Sequence, residues 1–197
     1  MTDPRELRNK RLNNEYRELM RINGSVIRIE PIGNAPYEKY RVTFNIRTFI
    51  SPAPTYRNST VCELTIPANY PVGAPTLVSK STPPPWHVNW WQNGKWCFGG
   101  WNKEESLVNY LHRAARTLQN DPDIANPYSA ANGSAVSFWN ANKNNRRLMP
   151  CDTQTLPTLD APESIMIIER DKPKIAINQS PEEKPKIDIL PRSSDCS

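Results

Sequence analysis

Long apolar runs are missing from this sequence. None approaches the roughly 18 to 20 residues that a membrane-spanning helix needs. The first six residues also have no apolar segment after their charges, so they do not resemble a secretory leader. We therefore expect a soluble, cytoplasmic protein that has no membrane partner.

Patterns typical of metal centres and disulfide scaffolds are missing too. The chain has two histidines, and its cysteines show no Cys-x-x-Cys spacing. Free thiols in a reducing compartment fit this pattern better than a disulfide framework, and we expect no metal and no organic cofactor. The four cysteines are Cys62, Cys97, Cys151 and Cys196.

The charge is basic but scattered. A formal charge of +5 and a pI near 9.1 are compatible with nucleic acid, yet the basic residues are interleaved with acids except near the N-terminus. Without a basic cluster, we do not expect a nucleic-acid partner. Twenty prolines in 197 residues indicate that only part of the chain packs. We predict a domain at residues 1–142 and a flexible tail, rich in Pro, Lys and Glu, at residues 143–197.

The spacing of apolar residues predicts three helices. The first covers residues 3–22 and begins at Asp3, which is followed by a proline in the first turn. Residues 102–105 have the spacing of a capping box and predict a crossing helix that ends near Asn120. A shorter helix follows at residues 130–140.

Between the first two helices, apolar and polar residues alternate with the period of a half-buried strand. This alternation predicts an antiparallel meander of four strands with Cys62 in its core, and therefore an α+β fold. The predicted strands lie at residues 25–29, 40–47, 61–66 and 76–79.

A long loop from residue 81 to 100 has neither period, and loops of this length in compact domains tend to be functional. It contains His87 and Asn89, and Cys97 follows eight residues after the asparagine. A cysteine beside a carboxamide and a histidine can hold an acyl group as a thioester and pass it on. The alternatives are a buried or incidental thiol at Cys97 and an ordinary turn asparagine at Asn89.

The chemistry of acyl transfer suggests a role for each of these residues. An ordinary cysteine thiol has a pKa of about 8.5, and such modest reactivity suits a carrier that must protect its thioester from water. When an amine attacks the thioester, Asn89 could donate a hydrogen bond to the carbonyl oxygen or could brace the loop. We expect His87 to orient the loop by hydrogen bonding rather than to act as a base.

This arrangement resembles the signature of the E2 ubiquitin-conjugating enzymes. Their His-Pro-Asn element is followed by a cysteine eight residues after the asparagine, with a glycine three residues before the cysteine. The matching positions here are His87, Asn89, Gly94 and Cys97.

Further elements extend the resemblance to about residues 3–140. The Tyr-Pro-x-x-x-Pro element of the family is matched by residues 70–75. Trp101 matches the tryptophan that follows the family's cysteine, and the helix predicted at residues 104–119 matches the family's long helix. A proline-bearing loop after that helix matches as well.

The resemblance implies a ubiquitin-conjugating fold and a transferase activity. Cys97 would accept the C-terminal carboxyl of a ubiquitin-like protein, or of another protein, from an E1-like activating enzyme and pass it to an amine of an acceptor protein. Asn89 and His87 would complete the catalytic site. The basic face of the first helix would dock the activating enzyme through Arg5, Arg8, Lys10 and Arg11.

Four departures from the family pattern point to a divergent member, and one of them is a helical end that is shorter than the family's usual two terminal helices. Val88 replaces the proline of the signature, and the segment between Cys97 and Trp101 is short. Asn126 stands near the position of an acidic or hydroxyl residue that aligns the incoming lysine, so we consider Asp121 or Asp123 for that role. These departures resemble the bacterial E2-like proteins of antiviral conjugation operons.

Two other functions compete with this hypothesis. One is a non-catalytic E2 variant that binds a ubiquitin-like protein, although such variants lack the cysteine that this chain keeps. The other is an adaptor that acts through its tail. The tail contains an apolar patch at residues 165–168 and a near repeat at residues 172–177 and 184–189.

Overall fold

The computed structural model describes residues 3–53, 55–145, 147–149 and 155–159. This part of the chain contains three α-helices and six strands, which confirms the predicted α+β class. No helix among these residues combines the length and the apolar character needed to cross a bilayer. The helices are α1 (Pro4–Ile22), α2 (Leu107–Leu118) and α3 (Val136–Asn142). The strands are β1 (Ile27–Ile32), β2 (Lys39–Phe44), β3 (Thr48–Ser51), β4 (Thr55–Arg57), β5 (Thr60–Thr65) and β6 (Thr76–Ser79).

The chain divides into two units after Glu163, and the second unit lies outside the described residues. The predictions about the apolar patch and the near repeat of the tail fall there.

Helix α1 begins as predicted. The carboxylate of Asp3 accepts a hydrogen bond from the Arg5 N–H at 2.9 Å, and Pro4 is the first helical residue. An acceptor at this position satisfies one of the N–H groups that the first turn leaves without a partner. The face of α1 that carries Leu12, Leu19 and Ile22 is fully buried and fixes the helix to the core.

The main sheet has the strand order β1-β2-β5-β6, and every neighbouring pair is antiparallel. Val42 of β2 pairs with Cys62 of β5, and both side chains are fully buried, so the prediction for Cys62 is confirmed. The prediction of four strands missed a separate ribbon formed by β3 and β4. These strands have four and three residues, which is too short for an alternating pattern to be recognised.

The start of α2 corrects a prediction. Asn102 accepts a hydrogen bond from the Glu104 N–H at 3.0 Å, which closes a turn rather than starting a helix. The N-cap is instead Ser106, whose hydroxyl accepts from the Asn109 N–H at 3.2 Å. The capping-box interpretation was wrong because the side chain of Glu105 pairs with Arg113 instead of reaching back to the cap.

The region after α2 is more irregular than predicted. Two short 3₁₀ turns, Pro127–Ser129 and Gly133–Ala135, precede α3. Beyond α3, Met149 is buried, and Leu156 and Leu159 pack against the main core. The packing therefore continues past residue 142, where composition placed the domain boundary.

Candidate active site

The loop that carries the predicted site is held against the edge of the main sheet. Trp90 and Trp96 form an antiparallel bridge, so residues 90–96 make a small hairpin. The Trp96 N–H donates to the carbonyl of Leu77 at 2.9 Å, and the Ser79 N–H donates to the carbonyl of Gly94 at 2.8 Å. Strand β6 therefore fixes the hairpin whose last residue precedes Cys97.

Gly94 is required by the geometry of this hairpin. Its φ is +83°, in the left-handed region that favours glycine, and a Cβ at this position would lie 2.9 Å from the carbonyl oxygen of Ser79. A side chain would push the hairpin away from β6. The glycine of the predicted signature is therefore a packing requirement in this chain.

Tryptophans pack beneath the loop, as the sequence predicted. Trp90 and Trp96 are buried, and the indole N–H of Trp90 donates to the hydroxyl of Thr117 at 3.0 Å. Trp101 donates from its indole N–H to the carbonyl of Pro71 at 2.8 Å. Trp91 differs, because 45% of its surface is exposed.

The structure brings the three predicted catalytic residues together through backbone hydrogen bonds. The Cys97 N–H donates to the backbone carbonyl of Asn89 at 2.8 Å. The Asn89 N–H donates to Nδ1 of His87 at 3.0 Å. The backbones of Cys97 and Asn89 and the imidazole of His87 are thus held next to one another.

The carboxamide of Asn89 is held from the opposite side of the loop. Its oxygen accepts a hydrogen bond from the backbone N–H of Asn126 at 3.1 Å, and the residue is only 8% exposed. Among the described residues the NH₂ group of this carboxamide has no acceptor, so it remains available as a donor. Asn89 therefore braces the 121–126 loop and still offers a hydrogen-bond donor beside Cys97.

His87 is a structural histidine in this site. It is buried and packs against Trp139 at 5.2 Å between ring centroids. Burial lowers the pKa of His87 to about 3, so the ring is neutral near pH 7. Since Nδ1 accepts from Asn89, the proton of the neutral ring is on Nε2, which has no hydrogen-bond partner among the described residues.

The two described cysteines differ in accessibility. Cys62 is fully buried, and burial raises the pKa of its thiol well above the ordinary value. Cys97 is partly exposed. Between these two, Cys97 is the thiol that an external carbonyl can reach.

Sequence reasoning missed a salt bridge that holds the backbone after Cys97. Arg113 of α2 donates to the carbonyl of Phe98 at 2.8 Å, and its guanidinium also pairs with Glu105 at 2.9 Å. The residues of this contact are separated by eight to fifteen positions in the chain. No local pattern could have indicated it.

The two acidic residues considered for aligning an amine differ in their pairing and in their exposure. Asp121 accepts a 2.7 Å hydrogen bond from Arg116, and its side chain is 24% exposed. The side chain of Asp123 is 85% exposed and lies 4.0 Å from Arg116. Asp123 is therefore the more available carboxylate on the loop that Asn89 braces.

The predicted docking face of α1 is only partly free. Arg8 donates to Glu38 at 2.6 Å and to the carbonyl of Pro67 at 3.1 Å. Arg11 pairs with the buried Glu15 at 2.6 Å. These two arginines hold the domain together.

The other two basic residues of that face are open to solvent. Arg5 is exposed, and the side chain of Lys10 is 65% exposed with a weak surface partner in Glu6. They are the members of the predicted set that a partner could contact without breaking an internal bond.

A surface cleft of about 430 Å³ lies beside the loop, between residues 91–93 and 131–134. Cys97 is not among its lining residues, and none of those residues is charged. The cleft is therefore separate from the proposed nucleophile.

Within the described part of the chain, no group of three His, Cys, Asp or Glu side chains could hold a metal ion. No protein-family model matches the chain, and no curated protein matches it. The arrangement of Cys97, Asn89 and His87 therefore has to be interpreted from its own geometry.

Proposed function

We propose that the chain is an E2-like conjugating enzyme that carries a ubiquitin-like protein, or the C-terminus of another protein, as a thioester on Cys97. The observation that carries the proposal is the fixed pair of Cys97 and Asn89. Cys97 is partly exposed, and its backbone is hydrogen-bonded to Asn89. The carboxamide oxygen of Asn89 is clamped by Asn126, and its NH₂ group has no acceptor in the part of the chain that the structure describes. The spacing of the sequence signature supports the same chemistry.

Two acyl transfers make up the proposed cycle. In loading, the Cys97 thiolate attacks the carbonyl carbon of a thioester on an E1-like activating enzyme, and the thiolate of that enzyme leaves. In discharge, an amine of the acceptor attacks the same carbon, a C–N bond forms, and the C–S bond to Cys97 breaks. The sulfur leaves as a thiolate, and the extra proton of the amine passes to a base.

Negative charge develops on the carbonyl oxygen in both transfers. The NH₂ group of Asn89 is a preorganised donor for that oxygen, because its carboxamide cannot rotate without losing the bond to Asn126. His87 acts on Asn89 rather than on the substrate, since its Nδ1 accepts from the Asn89 backbone. Asn89 is therefore the proposed catalytic donor, and His87 is a positioning residue.

Discharge also requires an amine that approaches in its neutral form. The exposed carboxylate of Asp123 lies on the loop that Asn89 braces, three residues before Asn126. A carboxylate there can align a lysine ammonium group and receive its proton. Asp123 is therefore our candidate for amine alignment, in preference to Asp121, which is paired with Arg116.

A thioester assay tests this function. Full-length protein is incubated with ATP and a panel of activating enzymes, each with its own ubiquitin-like protein. We expect one combination to produce an adduct that a thiol reductant removes. Cys97→Ser should convert it to a reductant-stable ester, and Cys97→Ala should abolish it.

Cys62→Ala is the matched control, because that thiol is buried and should not carry the adduct. An adduct that survives Cys97→Ala would contradict the proposal. A chain that binds a ubiquitin-like protein but forms no adduct in any combination would favour the non-catalytic variant instead.

A further inference from the structure

The backbone that follows Cys97 has little packing of its own. Gly99 and Gly100 are both exposed, and a Cβ at either position would have no neighbouring atom within 4 Å. Gly99 has a φ of +75°. Two adjacent glycines allow many backbone conformations, so the one observed here needs an external support.

Arg113 provides that support from helix α2. Its guanidinium donates to the carbonyl of Phe98 at 2.8 Å and to the carbonyl of Gly100 at 3.4 Å. These carbonyls lie on either side of Gly99. One side chain therefore holds the peptide unit between Phe98 and Gly99 and the one between Gly100 and Trp101.

Glu105 holds the guanidinium in this orientation. It accepts from Nε of Arg113 at 2.9 Å and from an Nη at 3.0 Å, which is a two-point pairing between planar groups. The Glu105 side chain is only 14% exposed, and its backbone carbonyl accepts from Arg11 at 2.9 Å. A partly buried and doubly bonded pair is a rigid anchor for the loop.

The orientation of the first peptide unit has a consequence for its N–H group. In a trans peptide the C=O and N–H bonds point in opposite directions. Because the carbonyl of Phe98 points to the Arg113 guanidinium, the N–H of Gly99 points away from that guanidinium. Within the described residues, that N–H donates to no acceptor.

We propose that the Gly99 N–H is a second donor for the carbonyl oxygen of an acyl group on Cys97, beside the Asn89 carboxamide. Arg113, oriented by Glu105, is the positioning residue for this donor. As a nucleophile adds to the carbonyl carbon, the π electron pair moves to the oxygen and is stabilised by the N–H. When the C–S bond breaks, the pair returns to form the carbonyl, and sulfur leaves as the thiolate.

This inference deepens the proposed function and rests on it for the natural substrate, but it can be tested without any partner protein. If Arg113 only supported the structure, its substitution would change the rate of every reaction of Cys97 to the same extent. A backbone donor for an oxyanion affects only reactions at a carbonyl carbon. Comparing two small reagents therefore separates the two roles.

The experiment measures two rate constants on the full-length chain. p-Nitrophenyl acetate acylates the thiol through a tetrahedral oxyanion and releases p-nitrophenolate. Iodoacetamide alkylates the thiol at a saturated carbon, where no oxyanion forms. The rates of Cys97→Ala are subtracted from both, so that only the reaction of Cys97 is counted.

For Arg113→Met we expect acylation to slow by about tenfold or more, while alkylation changes by less than about threefold. Arg116→Met is the matched control, because Arg116 lies on the same helix but pairs with Asp121, and both of its rates should stay near wild type. Equal changes in the two rates, or an unchanged acylation rate, would overturn the proposal.

Glu105→Gln keeps the test decisive if Arg113→Met does not fold. It preserves the shape of the side chain and the charge of Arg113 but weakens the two-point pairing. The ratio of the acylation rate to the alkylation rate should fall, as it does for Arg113→Met. An unchanged ratio in a folded protein would overturn the proposal. Failure of the thioester assay alongside a fallen ratio would reject the proposed conjugating function and leave the donor assignment standing.

Discussion

The backbone N–H of Cys97 donates a 2.8 Å hydrogen bond to the backbone carbonyl of Asn89. The bond holds the backbones of the two residues together without using either side chain. Substitutions of the two side chains therefore leave this contact in place, and their effects on chemistry can be separated from effects on the loop.

Asn89→Asp should remove the catalytic donor and keep the brace. The carboxylate can still accept from the Asn126 N–H, but it has no NH₂ group and places a negative charge near the developing oxyanion. We expect single-turnover discharge to slow by about 100-fold or more, the order seen when one oxyanion donor is lost.

Asn89→Ala is the companion variant, because it also leaves the Asn126 N–H without its acceptor. It should lose discharge to a similar degree and in addition lower the free energy of unfolding by about 1 kcal/mol, measured in urea. Discharge at the wild-type rate in Asn89→Asp would show that the residue acts only as a brace.

His87 should make the fold sensitive to acid. Its pKa is about 3 in the folded state and about 6.5 in an unfolded chain, so the folded state binds fewer protons between these values. Acidification therefore favours unfolding, by about 2 kcal/mol between pH 6.5 and pH 4.5. In urea unfolding across this pH range, the wild-type protein should lose that amount of free energy of unfolding, and His87→Gln should not. Equal pH dependence of the two proteins would refute the assignment.

The exposed and the partly buried basic residues of α1 should respond differently to substitution. Reversing Arg5 and Lys10 to glutamate should slow loading and leave the melting temperature nearly unchanged, because both side chains are exposed. Arg11→Ala should instead lower the free energy of unfolding by about 1 to 2 kcal/mol, since it removes the cation paired with the buried Glu15. If the variant with both charges reversed loads at the wild-type rate, this face is not a docking site.

The chain segment after α3 should contribute to stability. A truncation after residue 145 removes the buried Met149 and the packed Leu156 and Leu159. Burial of Met149 alone is worth about 1.5 to 3 kcal/mol. The shorter protein should therefore melt at a lower temperature than one truncated after residue 159, and equal melting temperatures would mean that this packing adds nothing.

Local signals in the sequence were enough for several elements of the fold. Asp3 and Pro4 indicated the start of α1, and strict alternation around Val42 and Cys62 indicated two central strands. Non-local contacts decided the rest. The first N–H of α2, at Leu107, is bound by Glu15, which lies 92 residues earlier in the chain, and no helix-start pattern contains that information.

The candidate site was predictable to the same extent. The sequence placed His87, Asn89 and Cys97 in one short loop, and the structure holds them together there. The clamp on Asn89 comes from Asn126, 37 residues away, and could only be seen in the folded chain. The same holds for Arg113, since helical periodicity says nothing about which carbonyl a side chain reaches.

The most direct test of the account is to locate the acyl bond. Full-length protein loaded by an activating enzyme and ATP is digested without reductant, and the peptides are analysed by mass spectrometry. The account predicts that the C-terminal carboxyl of the donor is joined to the sulfur of Cys97 and that this linkage disappears on treatment with thiol. A donor joined to Cys62, Cys151, Cys196 or a lysine, with Cys97 unmodified, would contradict it.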